Sequence, residues 1–312
     1  IGDDTGDNIS EKRRSFCEYT VQYWAWKNVK AEYYGLCHYR RYLSFADRYF
    51  ECNDPQHFAV EMNLVYPSAN KYNLLDKTLM QKEIIKYDII TSVTYPVNKL
   101  NVYPKANNEK ELWLNVSHFL VDENDINLTL EIIKEKFPQY YKEACSLMKK
   151  EEHRGFNCFI MQKKYFFELC EFEFGVLFEL ERRLDVSNYA GNRERVFGYL
   201  GEILYGTYME YIKKQLPKER FCEKQIVYFH ETKKDRLPNP VKKISAKEKL
   251  YHKLFPNYYL NHHIIRQLEA HSVALETLKR QMVSAVRNIE MVEKRTFHMF
   301  NMEKWDYQMN AL

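Results

Sequence analysis

A short apolar run, Tyr33-Tyr34-Gly35-Leu36-Cys37, empties directly into His38-Tyr39-Arg40-Arg41. The run is rich in strand-forming residues. Strands in α/β proteins present their chemistry just past their carboxyl ends, where loops open into a ligand crevice. Two guanidiniums at such a place suit a phosphate or a carboxylate, because each offers a planar fork of donors and keeps its charge. The same four residues are also compatible with a surface strand whose arginines make ordinary salt bridges.

A second constellation lies in Arg195-Val-Phe-Gly-Tyr-Leu-Gly-Glu202. Seven residues are two helical turns, so Arg195 and Glu202 share a face. Gly198 and Gly201 lower helix propensity there, as a close approach of backbone or ligand would require. Glu202 is the candidate general base, given surroundings that tune its proton affinity. The competing reading is an internal Arg–Glu bridge bracing the helix. Near the start, Gly2 to Ser10 carries Asp3, Asp4 and Asn8, which either accept bonds from ribose or sugar hydroxyls or cap turns. Asn157 precedes an apolar strand and either orients a ligand hydroxyl or caps a turn. Asp88 is a weaker candidate base at the start of a strand.

Other chemistries leave little trace. Seven cysteines, an odd number with no CxxC pair and no zinc spacing, read as reduced thiols of a cytoplasmic protein. No Gly-rich phosphate loop occurs. No apolar run approaches 18 residues, so no spanning helix is expected. Asp3 and Asp4 are the remaining metal candidates, and no metal site is assigned. The chain begins at Ile1, without Met or a signal peptide, directly before a loop. That start reads as one from which an amino-terminal piece has been removed or is not represented.

The 312 residues carry a formal charge of +4, too small to point to nucleic acid. Its distribution is uneven. From Lys242 to Leu312 there are 12 Lys and Arg against 7 Asp and Glu, leaving 35 basic and 36 acidic residues in the body. The many aromatics (25 Tyr, 19 Phe and 4 Trp) suit stacking against sugar rings, although most belong in a core.

Helix periodicity is expected from Ser10 to Val29, Leu79 to Lys86, Ile126 to Lys136, Tyr140 to Lys149, Lys164 to Leu184 and Arg195 to Lys214. Strands are expected at 33–38, 87–93, 157–161 and 225–229, with 44–75 mostly irregular and 98–118 a loop with some helix. Alternating strands and helices predict an α/β sandwich in a domain spanning 1–240, closed by Leu237-Pro238-Asn239-Pro240. The tail, 241–312, differs. Ile264, Leu268, His271, Leu275, Leu278, Met282, Ala285, Ile289, Val292, Thr296 and Met299 recur at steps of four and three. Such a heptad seam over 261–300 packs on a partner helix, in a second copy or folded back on the body. A basic amphipathic helix lying on an anionic membrane surface is the alternative.

GDDTGDNIS, CEYTVQYWAWKN, YYGLCHYRRYLSF, FNCFIM and RVFGYLGEILYGTY follow one another in this order. Over roughly 1–235 the chain thereby resembles a bacterial capsular-polysaccharide and O-antigen synthesis family, long catalogued as a domain of unknown function, that includes galactofuranosyltransferase-like enzymes. The resemblance implies a GT-A-like, Rossmann-like core and a transferase moving a hexose, plausibly galactofuranose, from a UDP-sugar to a lipid-linked glycan acceptor, with inversion. Members usually open with a further strand before GDDTGDN, which is absent here and leaves the nucleotide contacts least defined. Many GT-A enzymes hold a metal with an Asp-x-Asp after a central strand. Here that place reads His38-Tyr39-Arg40-Arg41, so Arg40, Arg41 and His38, with Tyr39, Asn157 and Arg195, are expected to bind the donor without a cofactor metal. The tail lies outside the resemblance. A different class also fits the residues: a non-catalytic sugar-binding assembly protein that recruits biosynthetic enzymes through its heptad helix.

Overall fold

The computed structural model describes residues 2–52, 58–100, 105–116, 120–189 and 191–232. The heptad tail and the boundary at 237–240 lie outside the described residues.

The helix expected from Ser10 to Val29 is broken in two. A 3₁₀ turn at Ser10–Lys12 leads into α1 (Arg13–Phe16), and α2 (Tyr19–Asn28) starts anew beyond a corner at Cys17 and Glu18. Cys17 adopts φ 54°, which L-residues rarely do. Asp3 braces this corner, its buried carboxylate accepting from Thr20 Oγ1 at 2.6 Å and from the Arg13 guanidinium. Apolar spacing gives no sign of the break, because Phe16 and Tyr19 on its two sides are both fully buried.

Beyond it run β1 (Tyr33–Leu36), β2 (Arg41–Leu43), β3 (Ala59–Asn63), α3 (Tyr66–Lys71), α4 (Lys77–Ile84), β4 (Ile89–Ser92) and the short β5 (Tyr95–Pro96). Then come α5 (Glu109–Val116), α6 (Glu123–Lys136), α7 (Pro138–Leu147), β6 (Glu152–His153), β7 (Phe159–Gln162) and α8 (Lys163–Arg183). The described part closes with α9 (Val196–Gln215), β8 (Phe221–Lys224) and β9 (Ile226–Glu231). Local chemistry explains several of these ends. Asp76 accepts from Leu79 N–H at 2.9 Å to start α4. Asp122 and Asp125 exchange side-chain and backbone bonds at the start of α6, and Pro138 occupies the first turn of α7. The elements β3 and α3 fall in the stretch expected to be irregular. Five or six residues are too few for a periodic signal to emerge.

The strands form a mixed four-stranded sheet, β1-β7-β4-β8, a three-stranded sheet, β2-β9-β3, and the β5-β6 pair. Among the described residues, only β4–β8 and β3–β9 pair in parallel. β1 and β2 are consecutive yet belong to different sheets, joined by a tight turn in which Arg41 N–H donates to the His38 carbonyl at 3.1 Å. The turn holding the basic cluster is thus the joint between two sheets.

Helices α6 to α9 build the main core. Tyr34 of β1 stacks on Phe166 of α8 with ring centroids 4.3 Å apart, and Phe159 of β7 stacks on Tyr205 of α9. Gly201 of α9 lies against the Tyr19 ring, where any Cβ would overlap it. That close approach carries α2, and the corner before it, onto α9.

Candidate active site

A cavity of about 320 Å³ opens where the sheet joint, the Cys17–Glu18 corner, α5, the segment after β6 and the start of α9 meet. Its size is at the low end for small-molecule sites. Arg40, Arg41, Arg195 and His38 line it together with Glu18, Glu202 and His153. Five widely separated stretches of sequence therefore converge on one space.

Each guanidinium is propped on an aromatic ring. Arg41 lies 4.7 Å from the Phe156 ring centre, Arg40 lies 4.9 Å from Tyr39 and 5.3 Å from Tyr228, and Arg195 lies 5.5 Å from Tyr199. Among the described residues none of the three makes a direct ion pair, and the Nε atoms of Arg40 and Arg41 are buried without a hydrogen-bond partner. Orphaned, buried, charged donors are costly unless an acceptor completes them. Such an arrangement is chemically suited to an anion. The His38 imidazole registers it: burial, then the charges of Arg41, Arg40 and Arg195, push its pKa down to about 4. His38 is therefore neutral at physiological pH, and its Nδ1 accepts from Arg40 N–H at 3.4 Å.

In the same cavity, Glu202 Oε2 accepts from Phe156 N–H at 3.3 Å. Burial, and then the facing Glu18, hold the Glu202 carboxyl above the ordinary carboxylate range, against the opposing pull of Arg41, the Phe156 N–H and His153. A carboxylate so tuned is suited to accepting a proton. Beside it, buried His153 is gripped through Nδ1 by both oxygens of buried Glu109, at 2.8 and 3.0 Å. Glu109 Oε1 also accepts from Trp113 Nε1 at 3.1 Å. Burial alone would push the His153 pKa down, but the Glu109 carboxylate outweighs it and the net shift is upward.

Not every residue expected at the site is there. His38, Arg40, Arg41, Arg195 and Glu202 line one cavity, and Tyr39 is exposed at the turn, against the Arg40 guanidinium. Asn157 lies one residue from the wall, buried, with a left-handed backbone (φ 39°) and Nδ2 3.4 Å from Glu18 Oε1. Asp3, Asp4 and Asn8 are not on the wall. Asp3 is occupied at the corner, and Asn8 Oδ1 accepts from Ser10 N–H at 3.2 Å in a local cap, while Asp4 is exposed. Asp88 is bound to Arg220 and accepts from Gln162 Nε2 at 2.8 Å, away from the cavity. Glu18, Glu109, Trp113, His153, Phe156 and Tyr199 were not anticipated. The available sign was Gly155 within His153-Arg154-Gly155-Phe156-Asn157, where a glycine permits close approach. Among the described residues no three His, Cys, Asp or Glu side chains form a cluster able to hold a metal ion.

Comparison with known proteins agrees with the architecture. No curated protein matches the chain. A solved structure described as a WbbM bifunctional glycosyltransferase without ligand is similar, with a TM-score of 0.68 and 25% sequence identity over 78% of this chain. The chain spans 41% of that protein's length. A family model described as a domain of unknown function, DUF4422, matches residues 1–215. Most of the chain, including every residue lining the cavity, falls within that match: the protein belongs to the DUF4422 family.

Proposed function

We propose that the chain is a glycosyltransferase that moves a sugar, galactofuranose in the fullest form of the reading, from a UDP-sugar to a growing capsular-polysaccharide or O-antigen acceptor. The observation that carries this is the meeting, in one cavity, of three guanidiniums without ion-pair partners among the described residues and a carboxylate of raised proton affinity. The likeness to a bifunctional glycosyltransferase supports the same class and a GT-A-like core.

In this reading Arg40, Arg41 and Arg195, with neutral His38 and Tyr39, bind the donor diphosphate by charge-assisted hydrogen bonds. They stabilise the charge that develops on the departing group. The acceptor oxygen bonds to the anomeric carbon as the bond from that carbon to the phosphate oxygen breaks. The electron pair leaves with UDP, and the acceptor proton passes to Glu202, so the configuration inverts. Aromatic faces of Trp113 and Tyr199 suit the sugar. Asn157, one residue from the wall, is the remaining donor-side candidate. Cytoplasmic placement at the inner face of the membrane, where a lipid-linked acceptor would lie, completes the proposal.

Calorimetry with UDP and UDP-sugars, coupled to mass spectrometry of the acceptor, tests it. Binding with transfer that persists in EDTA is expected, and Arg40→Ala with Arg41→Ala should remove both. Intact turnover in that double variant would refute the diphosphate role. Absence of nucleotide binding in the wild-type protein would favour a non-catalytic assembly protein.

A further inference from the structure

The buried Glu109–His153 pair has no part in the chemistry set out above, although it reaches the same cavity. His153 presents its ring edge-on to Phe156 and Trp113, at centroid distances of 5.4 and 6.1 Å. With Nδ1 held by Glu109, its Nε2 is turned to Gly155, where an added Cβ would overlap Nε2 and stand 3.3 Å from Glu202 Oε2. Only a glycine lets the imidazole and the Glu202 carboxylate approach the same point. The Trp113 indole fixes Glu109, Glu109 fixes the ring, and the ring faces Glu202.

We propose that Glu109 and His153 are a positioning pair that presents a fixed imidazolium to Glu202 across Gly155, keeping that carboxylate in its proton-accepting form beside Glu18. The pair answers a specific difficulty. Two carboxylates facing one cavity resist ionising together, and one of them takes up a proton unless a cation intervenes. The charged and titratable groups facing Glu202 are Glu18, Cys17 and Tyr19 from the corner and α2, Arg41 from β2, Tyr199 from its own helix, and His153. Of these, Arg41 is the one other cation, and a bound diphosphate would engage it. Once donor is seated, His153 is the cation left to Glu202. Facing His153 are Glu109, Glu202 and Arg154. This inference rests on Glu202 as the base of the proposed transfer.

The test is side-chain NMR titration of His153 in the full chain and in Glu202→Gln, with pH profiles of kcat/KM for wild type and His153→Gln. His153 is expected to titrate above the ordinary histidine range, and Glu202→Gln to lower its midpoint by about 1 pH unit through loss of a facing charge. By reciprocity, the acid limb of kcat/KM should move up by roughly 1 pH unit in His153→Gln, with the KM for donor unchanged. Glu109→Gln should move the limb in the same direction. A His153 midpoint indifferent to Glu202→Gln, or an unmoved acid limb in a folded His153→Gln, would overturn the proposal. Should that variant fail to fold, the titration of wild type and Glu202→Gln decides alone. A wild-type protein that transfers no sugar would sink the transferase reading, and the NMR coupling would still judge the pair.

Discussion

At the scale of single residues, the site separates groups that carry charge from groups that are kept from it. His38 is the clearest case. Its pKa of about 4 means that the folded protein binds fewer protons than the unfolded chain between that value and the ordinary 6.5. Stability should therefore fall as pH drops through this window. In His38→Gln the urea midpoint should change less between pH 7 and pH 5 than in wild type, and equal slopes would mean that neither burial nor the basic cluster lowers the proton affinity of the imidazole. A diphosphate analogue should soften the wild-type dependence, because an anion offsets the three guanidiniums. Glu202→Gln should lower kcat by about 10² to 10⁴, with donor affinity measured by calorimetry retained. The basic cluster was legible in the sequence because Arg-Arg after a strand is a local pattern. Glu18, Glu109 and His153 were not, since their meaning depends on neighbours 20 to 180 positions away.

At the scale of elements, the site depends on how closely α2 lies against α9. The Tyr19 ring fills the space beside Gly201, and Glu202 follows directly. Gly201→Ala should cost about 1–3 kcal/mol through overpacking, read from denaturant unfolding, and reduce activity by shifting both Glu18 and Glu202. Unchanged stability would show that α2 can slide without penalty. The α2–α8 contact adds a polar device of its own. Glu173, fully buried, accepts from Gln22 Nε2, and burial holds its carboxyl far above the ordinary range. A carboxyl kept protonated in the fold but not in the unfolded chain costs stability as pH rises above about 4.5. Glu173→Gln should remove that dependence, and a persisting slope would place the titration elsewhere. Long helices such as α6, α8 and α9 could be read from apolar spacing. The corner at Cys17 could not, because both of its arms bury aromatics on the same core.

At the scale of the whole molecule, the described residues form a mixed α/β body, and no helix among them is long and apolar enough to cross a membrane. The heptad pattern of 261–300 is a separate matter, outside the family match. Deleting residues 241–312 should change the solution mass or the binding to anionic liposomes while leaving UDP affinity intact. Loss of UDP affinity would mean that the tail completes the body. The mixed α/β class followed from the alternation of elements. The division into two sheets did not, because strand pairing is a long-range choice that alternation leaves open.

The hinge between those two sheets has one more implication. Arg40 ends the four-residue link between β1 and β2, and Arg41 opens β2. A ligand gripped there, and at Arg195 just before α9, would rivet separately hydrogen-bonded layers to the helical half. Occupancy should then make amide exchange slow in β2 and β9 together with β1 and β7. At a hundredfold excess over Kd the gain is about 2.7 kcal/mol. Protection confined to the turn itself would mean that the layers are already locked without cargo.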